Sequence, residues 1–102
     1  MEVLLLHRPI GILSPVQVKA FMELGKQIIT KGPSGGGKLI VSYAARNQNL
    51  VICIVDVPSM DRIMPDVERM VMMGIDTEII PVEKSADAMP KLEKALAEMT
   101  KR

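Results

Sequence analysis

The alternation of apolar and polar positions divides the chain into short apolar runs and amphipathic stretches. The runs predict four β-strands, and apolar residues at helical spacing predict three helices between and after them. The predicted strands span residues 2–8, 38–44, 50–57 and 75–82, and the predicted helices begin after Ser14, after Ser59 and at Ser85. The predicted order is therefore β-α-β-β-α-β followed by a final helix.

Local signals predict where two of these helices begin and end. Ser14, Pro15 and Gln17 form a capping-box sequence with proline at the first helical position, and Gly32 followed by another proline ends this helix. Pro65 falls within the second helical stretch, so that helix either kinks there or begins there.

The connections between the strands predict the topology. Only the polar segment 45–49 separates the second and third strands, so these strands form an antiparallel hairpin. Right-handed crossovers and pairing of sequential strands then give a four-stranded antiparallel sheet with two helices on one face. The predicted fold class is α+β, a ferredoxin-like βαββαβ arrangement with an extra C-terminal helix.

Three of the predicted strands are apolar on both faces, whereas a sheet with one face in water alternates apolar and polar residues. The doubly apolar runs are 4–6, 39–41 and 50–55. Either the C-terminal helix or a second subunit must cover the face that the first two helices leave open, because an exposed apolar sheet face is a liability. We predict a homodimer whose sheets pack face to face.

Composition and charge narrow the functional classes. The 102 residues predict one domain, residues 1–102, and 48% hydrophobic with 25% charged residues is typical of a folded protein. A net charge of +1 and only 2% aromatic residues argue against nucleic acid as a partner. No apolar run reaches the roughly 20 residues of a membrane helix, and the single Cys53 cannot form an intrachain disulfide. A cytoplasmic protein with no membrane partner is expected.

Two segments of the second half are similar to a known family. The sequence VDVPSMD at 55–61 resembles FDVESND of the muconolactone isomerases, and IDTEIIPV at 75–82 resembles their last strand, MDIEVTPL. The first helix and the hairpin depart from the family, and the chain carries a glycine-rich insertion at 32–37. The resemblance implies a dimeric α/β barrel, closed oligomers and a cofactor-independent isomerase that moves a double bond in a small acidic lactone by removing and returning a proton.

Three residues are candidates for such proton transfer. His7, near the end of the first strand, is the only side chain that titrates near neutrality without help, so it is the candidate acid or base. Glu78 lies in the family-like last strand, on the same face as Asp76, and is the candidate second base. Tyr43 could anchor a substrate carboxylate through its hydroxyl. Structural roles compete with each of these: a strand-end histidine, a solvated pair of carboxylates and a half-buried tyrosine.

Two other patterns have structural interpretations. Residues 32–38 satisfy G-x-x-x-x-G-K, but a helix precedes them, a strand follows, and Leu39 stands where a phosphate loop needs Ser or Thr. We therefore predict a flexible connector. Met60, Met64 and Met70 share a helical stripe, and filling the core is a better account of them than a soft-metal site.

Two classes of function remain. The leading hypothesis is an isomerase-like enzyme with its pocket between sheet and helices, acting on a small acidic lactone or a related metabolite. The alternative is a non-catalytic module of the same fold that binds a small molecule or assembles with a partner. A haem-handling relative is a third alternative that would need His7 to face a large pocket, and it is less favoured because the chain has one histidine and few aromatic residues. The first two need no cofactor and no metal, and the expected partners are a second copy and a small-molecule ligand.

Overall fold

The structure, a computed structural model, describes residues 1–101. Its helices and strands follow the predicted order, with single 3₁₀ turns after β2 and before α2. The elements are β1 (Glu2–Pro9), α1 (Pro15–Lys31), β2 (Lys38–Ala45), β3 (Leu50–Asp56), α2 (Met64–Met72), β4 (Ile75–Val82) and α3 (Ser85–Thr100).

The four strands form one antiparallel sheet in the order β2-β3-β1-β4. Helices α1 and α2 pack on one side of this sheet, which we call the helix-facing side, and no element of the described chain lies over the other, the open face. This arrangement is compatible with the predicted ferredoxin-like fold. Face-to-face packing of two sheets involves a second copy and stays a prediction.

The core lies between the helix-facing side and the two helices. One cluster centres on the strand residues Val3, Leu5 and Val55 and on Ile63, which precedes α2. A second cluster joins the two helices to the start of β4. Its buried members are Leu24, Met70 and Ile75. The alternate residues of the strands point to the open face.

The helix ends follow the local sequence signals. Gln17 N donates to Ser14 Oγ at 3.2 Å, Ser14 N donates to Gln17 Oε1 at 2.8 Å, and Gly32, with φ of 81°, ends α1. Helix α2 begins at Met64 next to Pro65, so the proline marks the start of the helix and not a kink.

A bulge in β2 decides which of its side chains face the helices. Leu39 and Val41 pair with consecutive residues of β3, which leaves Ile40 as an extra residue between them. The alternation after the bulge is therefore shifted by one position. Ser42 faces the helices and Tyr43 lies on the open face, whereas strict alternation from Leu39 would place Tyr43 on the helix-facing side.

Helix α3 projects from the body of the protein. Its side chains are exposed apart from the half-buried Ala88. The molecule measures 58 × 28 × 20 Å, with a radius of gyration of 16.7 Å, against about 13 Å for a compact chain of this length. The C-terminal helix therefore does not cover the open face of its own chain, and a second subunit is the predicted cover that stays untested. Within residues 1–101, no helix has the length and apolar character needed to cross a bilayer.

Candidate functional site

A cavity of about 60 Å³ lies between the helix-facing side of the sheet and the two helices. Most of its lining is apolar, with contributions from the sheet, α1 and α2. The polar residues in the lining are His7, Ser42, Cys53 and Asp66. The volume holds about two water molecules, or a group of a few heavy atoms.

His7 is the most deeply placed of the three candidate residues, with 3% of its surface exposed. Its Nδ1 lies 2.9 Å from Thr77 Oγ1 on the neighbouring strand, and the Thr77 hydroxyl donates to Met70 Sδ at 3.6 Å. A hydroxyl that donates to sulfur can accept from the ring, so the contact with Met70 favours the tautomer in which Nδ1 carries the proton and Nε2 is the acceptor. The edge of the ring also packs on Phe21, with 6.3 Å between ring centroids.

Burial controls the charge of this histidine. Removal from water disfavours the imidazolium and lowers the pKa of His7 from 6.5 to about 4. The ring is therefore neutral at pH 7. Its partner is a hydroxyl and not a carboxylate, so no negative charge offsets the desolvation.

The other polar groups of the cavity are satisfied within the fold. Ser42 Oγ lies 3.4 Å from Cys53 Sγ, and burial raises the pKa of the Cys53 thiol, which stays protonated at neutral pH. Asp66, at the start of α2, accepts from Ser34 N at 3.0 Å and from the Ser34 hydroxyl. Arg69 Nη1 lies 3.6 Å from the same carboxylate. The Asp66 carboxylate is thus engaged by hydrogen bonds from Ser34 and by the guanidinium of Arg69.

An open cleft of about 430 Å³ adjoins the cavity at the end of the sheet. It lies between the first part of α1 and the turn that joins β2 to β3, where Arg46 and Asn49 contribute to its wall. His7 and Phe21 line both the cleft and the cavity. This pair of rings therefore forms the boundary between a small apolar space and a larger, solvent-open one.

The structure does not bring the three candidate residues together. Glu78 and Tyr43 lie on the open face, whereas His7 lies on the helix-facing side. One row across the sheet consists of Tyr43, Ile52, Leu6 and Glu78, in that order. Tyr43 and Glu78 stand on the two edge strands of this row, about 14 Å apart by the spacing of strands. Within one copy, His7 is the one of these three candidate residues that lines the expected pocket between sheet and helices.

The glycine-rich segment 32–37, the glycine loop, is packed and not the flexible connector expected from its composition. Pro33 is buried in the cavity wall, and Ser34 is tied to Asp66. A side chain at Gly35 would collide with the backbone oxygen of Arg62, and one at Gly37 would collide with that of Asp56. The glycines therefore permit a close approach of backbone to backbone, and the helix before the loop and the strand after it are the reverse of the order around a phosphate loop.

The methionine stripe is only partly in the core. Met70 is buried and Met60 packs against the first core cluster, as predicted, but Met64 is exposed. The described residues contain no group of three or more His, Cys, Asp and Glu side chains placed to hold a metal ion.

Several residues of the site carried little signal in the sequence. Thr77 reads as one more residue of an alternating strand, and Phe21 as one more apolar residue of a helix. Arg46 belongs to a polar turn. The pairing of His7 with Thr77 and the packing of α1 on β1 bring Thr77 and Phe21 to the histidine, and the pairing of β1 with β3 brings the turn that carries Arg46 beside them.

Comparison with known proteins adds no relative: no protein-family model, no curated protein and no solved structure matches the chain significantly. The resemblance to muconolactone isomerases thus gains no support from them. The fold assignment rests on the topology of the sheet, and function has to be argued from the site itself.

Proposed function

We propose that the chain binds a small organic acid at His7, with the apolar part of the ligand in the cavity and its carboxylate in the cleft. The observation that carries this proposal is the position of one neutral, nearly buried imidazole at the boundary of both spaces. Ligand sites are mostly apolar with a few polar groups that orient the ligand, and this site has that composition.

The size of the cavity limits the ligand. Its 60 Å³ is well below the about 150 Å³ of an engineered cavity that accepts benzene. A group of a few heavy atoms fits beside His7, and the remainder of the molecule occupies the cleft. Gly25 extends this space, because a Cβ at that position of α1 would meet nothing within 4 Å.

The charge of the cleft favours an anion. Of the described residues in its wall, Arg46 is the charged one, and Asn49 supplies an amide nearby. A guanidinium pairs with a carboxylate through two parallel hydrogen bonds. A carboxylate bound there also stabilises the protonated form of a nearby imidazole, so binding and protonation of His7 are coupled.

A second candidate function is proton transfer on the bound acid, as in the isomerases that the sequence resembles. The observation that favours it is the contact of Thr77 with both Nδ1 of His7 and Sδ of Met70, because these contacts favour the tautomer whose Nε2 can accept a proton. The base would remove a proton from a carbon of the lactone and return it to another carbon as the double bond moves. A positioned base of this kind contributes about 10²–10⁴-fold to the rate.

The binding proposal is tested on the single histidine of the chain. Its imidazole signals are followed by NMR through a pH titration, in the free protein and with muconolactone or its uncharged methyl ester. We expect a pKa of about 4 in the free protein, a higher value with the acid, and no increase with the ester. No change in the His7 signals with saturating acid would contradict the proposal.

Two variants sharpen this test. Arg46→Gln removes the anion partner and is expected to weaken binding of the acid by about tenfold or more, with little effect on the ester. Gly25→Ala places a methyl group in the cavity and is expected to weaken both ligands by about tenfold or more. Its helix propensity makes the protein more stable by about 1 kcal/mol, so weaker binding cannot be ascribed to unfolding.

The catalytic candidate is tested by incorporation of deuterium from D₂O into muconolactone. We expect incorporation to fall by about 10²-fold or more in His7→Gln, with Asp76→Asn, an exposed carboxylate of β4, as the matched control. Loss in Glu78→Gln with retention in His7→Gln would locate the reaction on the open face. If the unsubstituted protein binds muconolactone but incorporates no deuterium into it, the chain is the non-catalytic binding module and the catalytic candidate is wrong.

We further propose that two copies form the dimeric barrel, with their open faces packed together. Its support is the apolar centre of the open face, which α3 of the same chain does not cover. The central residues are Leu4, Leu6, Ile52, Ile54 and Ile80. Charged residues lie at both ends of the face, as is usual for the rim of an interface. Sedimentation equilibrium that fits a monomer at all concentrations would contradict this assembly.

A further inference from the structure

The exposed residues of α3 follow a regular pattern. Met89, Leu92, Leu96 and Met99 are between 55% and 69% exposed, and their spacing is three, four and three residues. We call these four residues the apolar stripe of α3. Spacings that alternate between three and four residues are the a/d repeat of a coiled coil. The apolar face that they form is narrower than that of a helix that packs on a sheet.

The positions beside the stripe fit the same assignment. Ala88 and Ala95 occupy the g positions next to it, where small side chains allow two helices to approach closely. The charged residues occupy mainly the far side of the helix. Those on the far side are Asp87, Lys91, Lys94, Glu98 and Lys101, whereas Glu93 lies beside the stripe at an e position. One side of α3 is thus built for water and the other for a second helix.

The connection to β4 directs α3 away from its own sheet. Only Glu83 and Lys84 separate the two elements. Lys84 O accepts from Asp87 N at 2.9 Å and from Ala88 N at 3.0 Å, which fixes the first turn. Lys91 Nζ lies 2.7 Å from Glu83 Oε2 and ties the next turn to the connection. The apolar stripe therefore meets no apolar surface of its own chain.

The area that the two open faces bury against each other is too small for a stable dimer, so a second contact is needed. Four strands of about eight residues make a face of about 19 × 26 Å, so two such faces bury about 1,000 Å². Stable interfaces bury about 1,200–2,000 Å² in total. Two helices of 16 residues add about 480 Å² when their stripes pair, at 1.5 Å per residue and about 10 Å width. The sum, about 1,500 Å², lies within that range.

We infer that the apolar stripe of α3 pairs with the same stripe of a second copy, as a short two-helix coiled coil that completes the dimer. Each surface then contacts its own counterpart, as two-fold symmetry requires. Two heptads alone form a marginal coiled coil, but the sheet contact holds the two helices at high effective concentration. This inference rests on the proposed dimer.

The test uses full-length variants with charges in the stripe. Leu92→Glu with Leu96→Glu changes the net charge by −2, and so does the matched control Lys94→Gln with Lys101→Gln on the far side of α3. In sedimentation equilibrium we expect the stripe variant to dissociate about 100-fold more readily, since it buries unpaired charge. The control is expected to stay within about threefold of the unsubstituted protein. Circular dichroism should show all of them folded, because the body makes no contact with the stripe.

A mixing experiment identifies what the stripe contacts. A second variant, Leu92→Lys with Leu96→Lys, is expected to be as weak a dimer as the Glu variant. Mixed together, the two should form a heterodimer, since opposite charges then meet across the helix pair in either orientation. Failure to restore the dimer would overturn the pairing of α3 with α3 and indicate another surface of the second copy.

The remaining outcomes separate this inference from the dimer on which it rests. A stripe variant that dimerises like the unsubstituted protein would overturn the helix pair and leave the sheet dimer standing. An unsubstituted protein that is monomeric would overturn both. A monomer that is also much shorter than 58 Å would show instead that α3 folds back on its own sheet.

Discussion

The two sides of the sheet carry similar apolar residues in different surroundings. Val3, Leu5 and Val55 on the helix-facing side are at most 7% exposed. Their chain neighbours on the open face, such as Leu4 and Ile54, remain only half-buried, because no layer of the same copy lies over them. An apolar strand therefore becomes a core only where a second layer packs against it, and the sequence of the strand alone does not say on which side that happens.

The same difference decides where chemistry is possible. His7 on the helix-facing side loses its water, and the pKa falls to about 4. The carboxylates of Asp76 and Glu78 on the open face are exposed. A polar group gains unusual properties from burial beside a cavity, so the helix-facing side is the better location for a ligand site in a single copy.

The largest effect is expected where the helix-facing side is closed by the glycine loop. Gly37→Ala would drive a Cβ into the backbone oxygen of Asp56, at a residue whose φ is +97°. Steric overlap and backbone strain together predict a loss of about 4 kcal/mol in the free energy of unfolding. Urea denaturation measures it.

Gly36 is the matched control for this prediction. It has a similar φ of +95°, but a Cβ there would meet nothing within 4 Å. Gly36→Ala should therefore cost only the strain, about 1–2 kcal/mol. Equal losses in the two variants would mean that the close approach at Gly37 contributes nothing and that the loop does not close the cavity.

The next effect is a dependence of stability on pH that comes from the helix-facing side. The folded protein holds His7 at a pKa of about 4, below its usual 6.5, so the unfolded chain binds more protons between these values. The free energy of unfolding should therefore fall as pH falls from 6.5 to 4, by roughly 3 kcal/mol in total. In His7→Gln this part of the pH dependence should disappear. An unchanged pH profile in the variant would show that other groups cause it.

Topology was accessible from the sequence because several local signals agreed. The capping box at Ser14, the stop at Gly32 and the short hairpin turn fix the order of elements, and that order leaves few ways to pair the strands. The start of α2 at Met64, next to Pro65, was one of two open alternatives, because a proline within a helical stretch is compatible with a kink or with the first turn of a helix.

The site was less accessible because it depends on register and on one irregularity. The bulge at Ile40 turns Tyr43 to the open face, and no residue type announces a bulge at that position. The pairing of β1 with β4 places Thr77 opposite His7 and Glu78 opposite Leu6, so the two titratable candidates lie on different faces. Side-chain alternation was predictable within β1, β3 and β4, which carry no bulge, but neither the bulge of β2 nor the register between strands of distant sequence was.

The smallest of these effects tests the comparison between the two faces most directly, because it uses adjacent residues of β3. Val55→Ala on the helix-facing side removes two buried carbon atoms and should cost about 2 kcal/mol at any protein concentration. Ile54→Ala on the open face should cost less than about 1 kcal/mol in dilute solution. Its cost should grow when the protein is about a hundredfold more concentrated, since the unsubstituted protein then gains stability from association and the variant gains less. Equal costs in dilute solution would mean that the open face is already covered within one copy, and a cost for Ile54→Ala that ignores concentration would remove the second copy from that face.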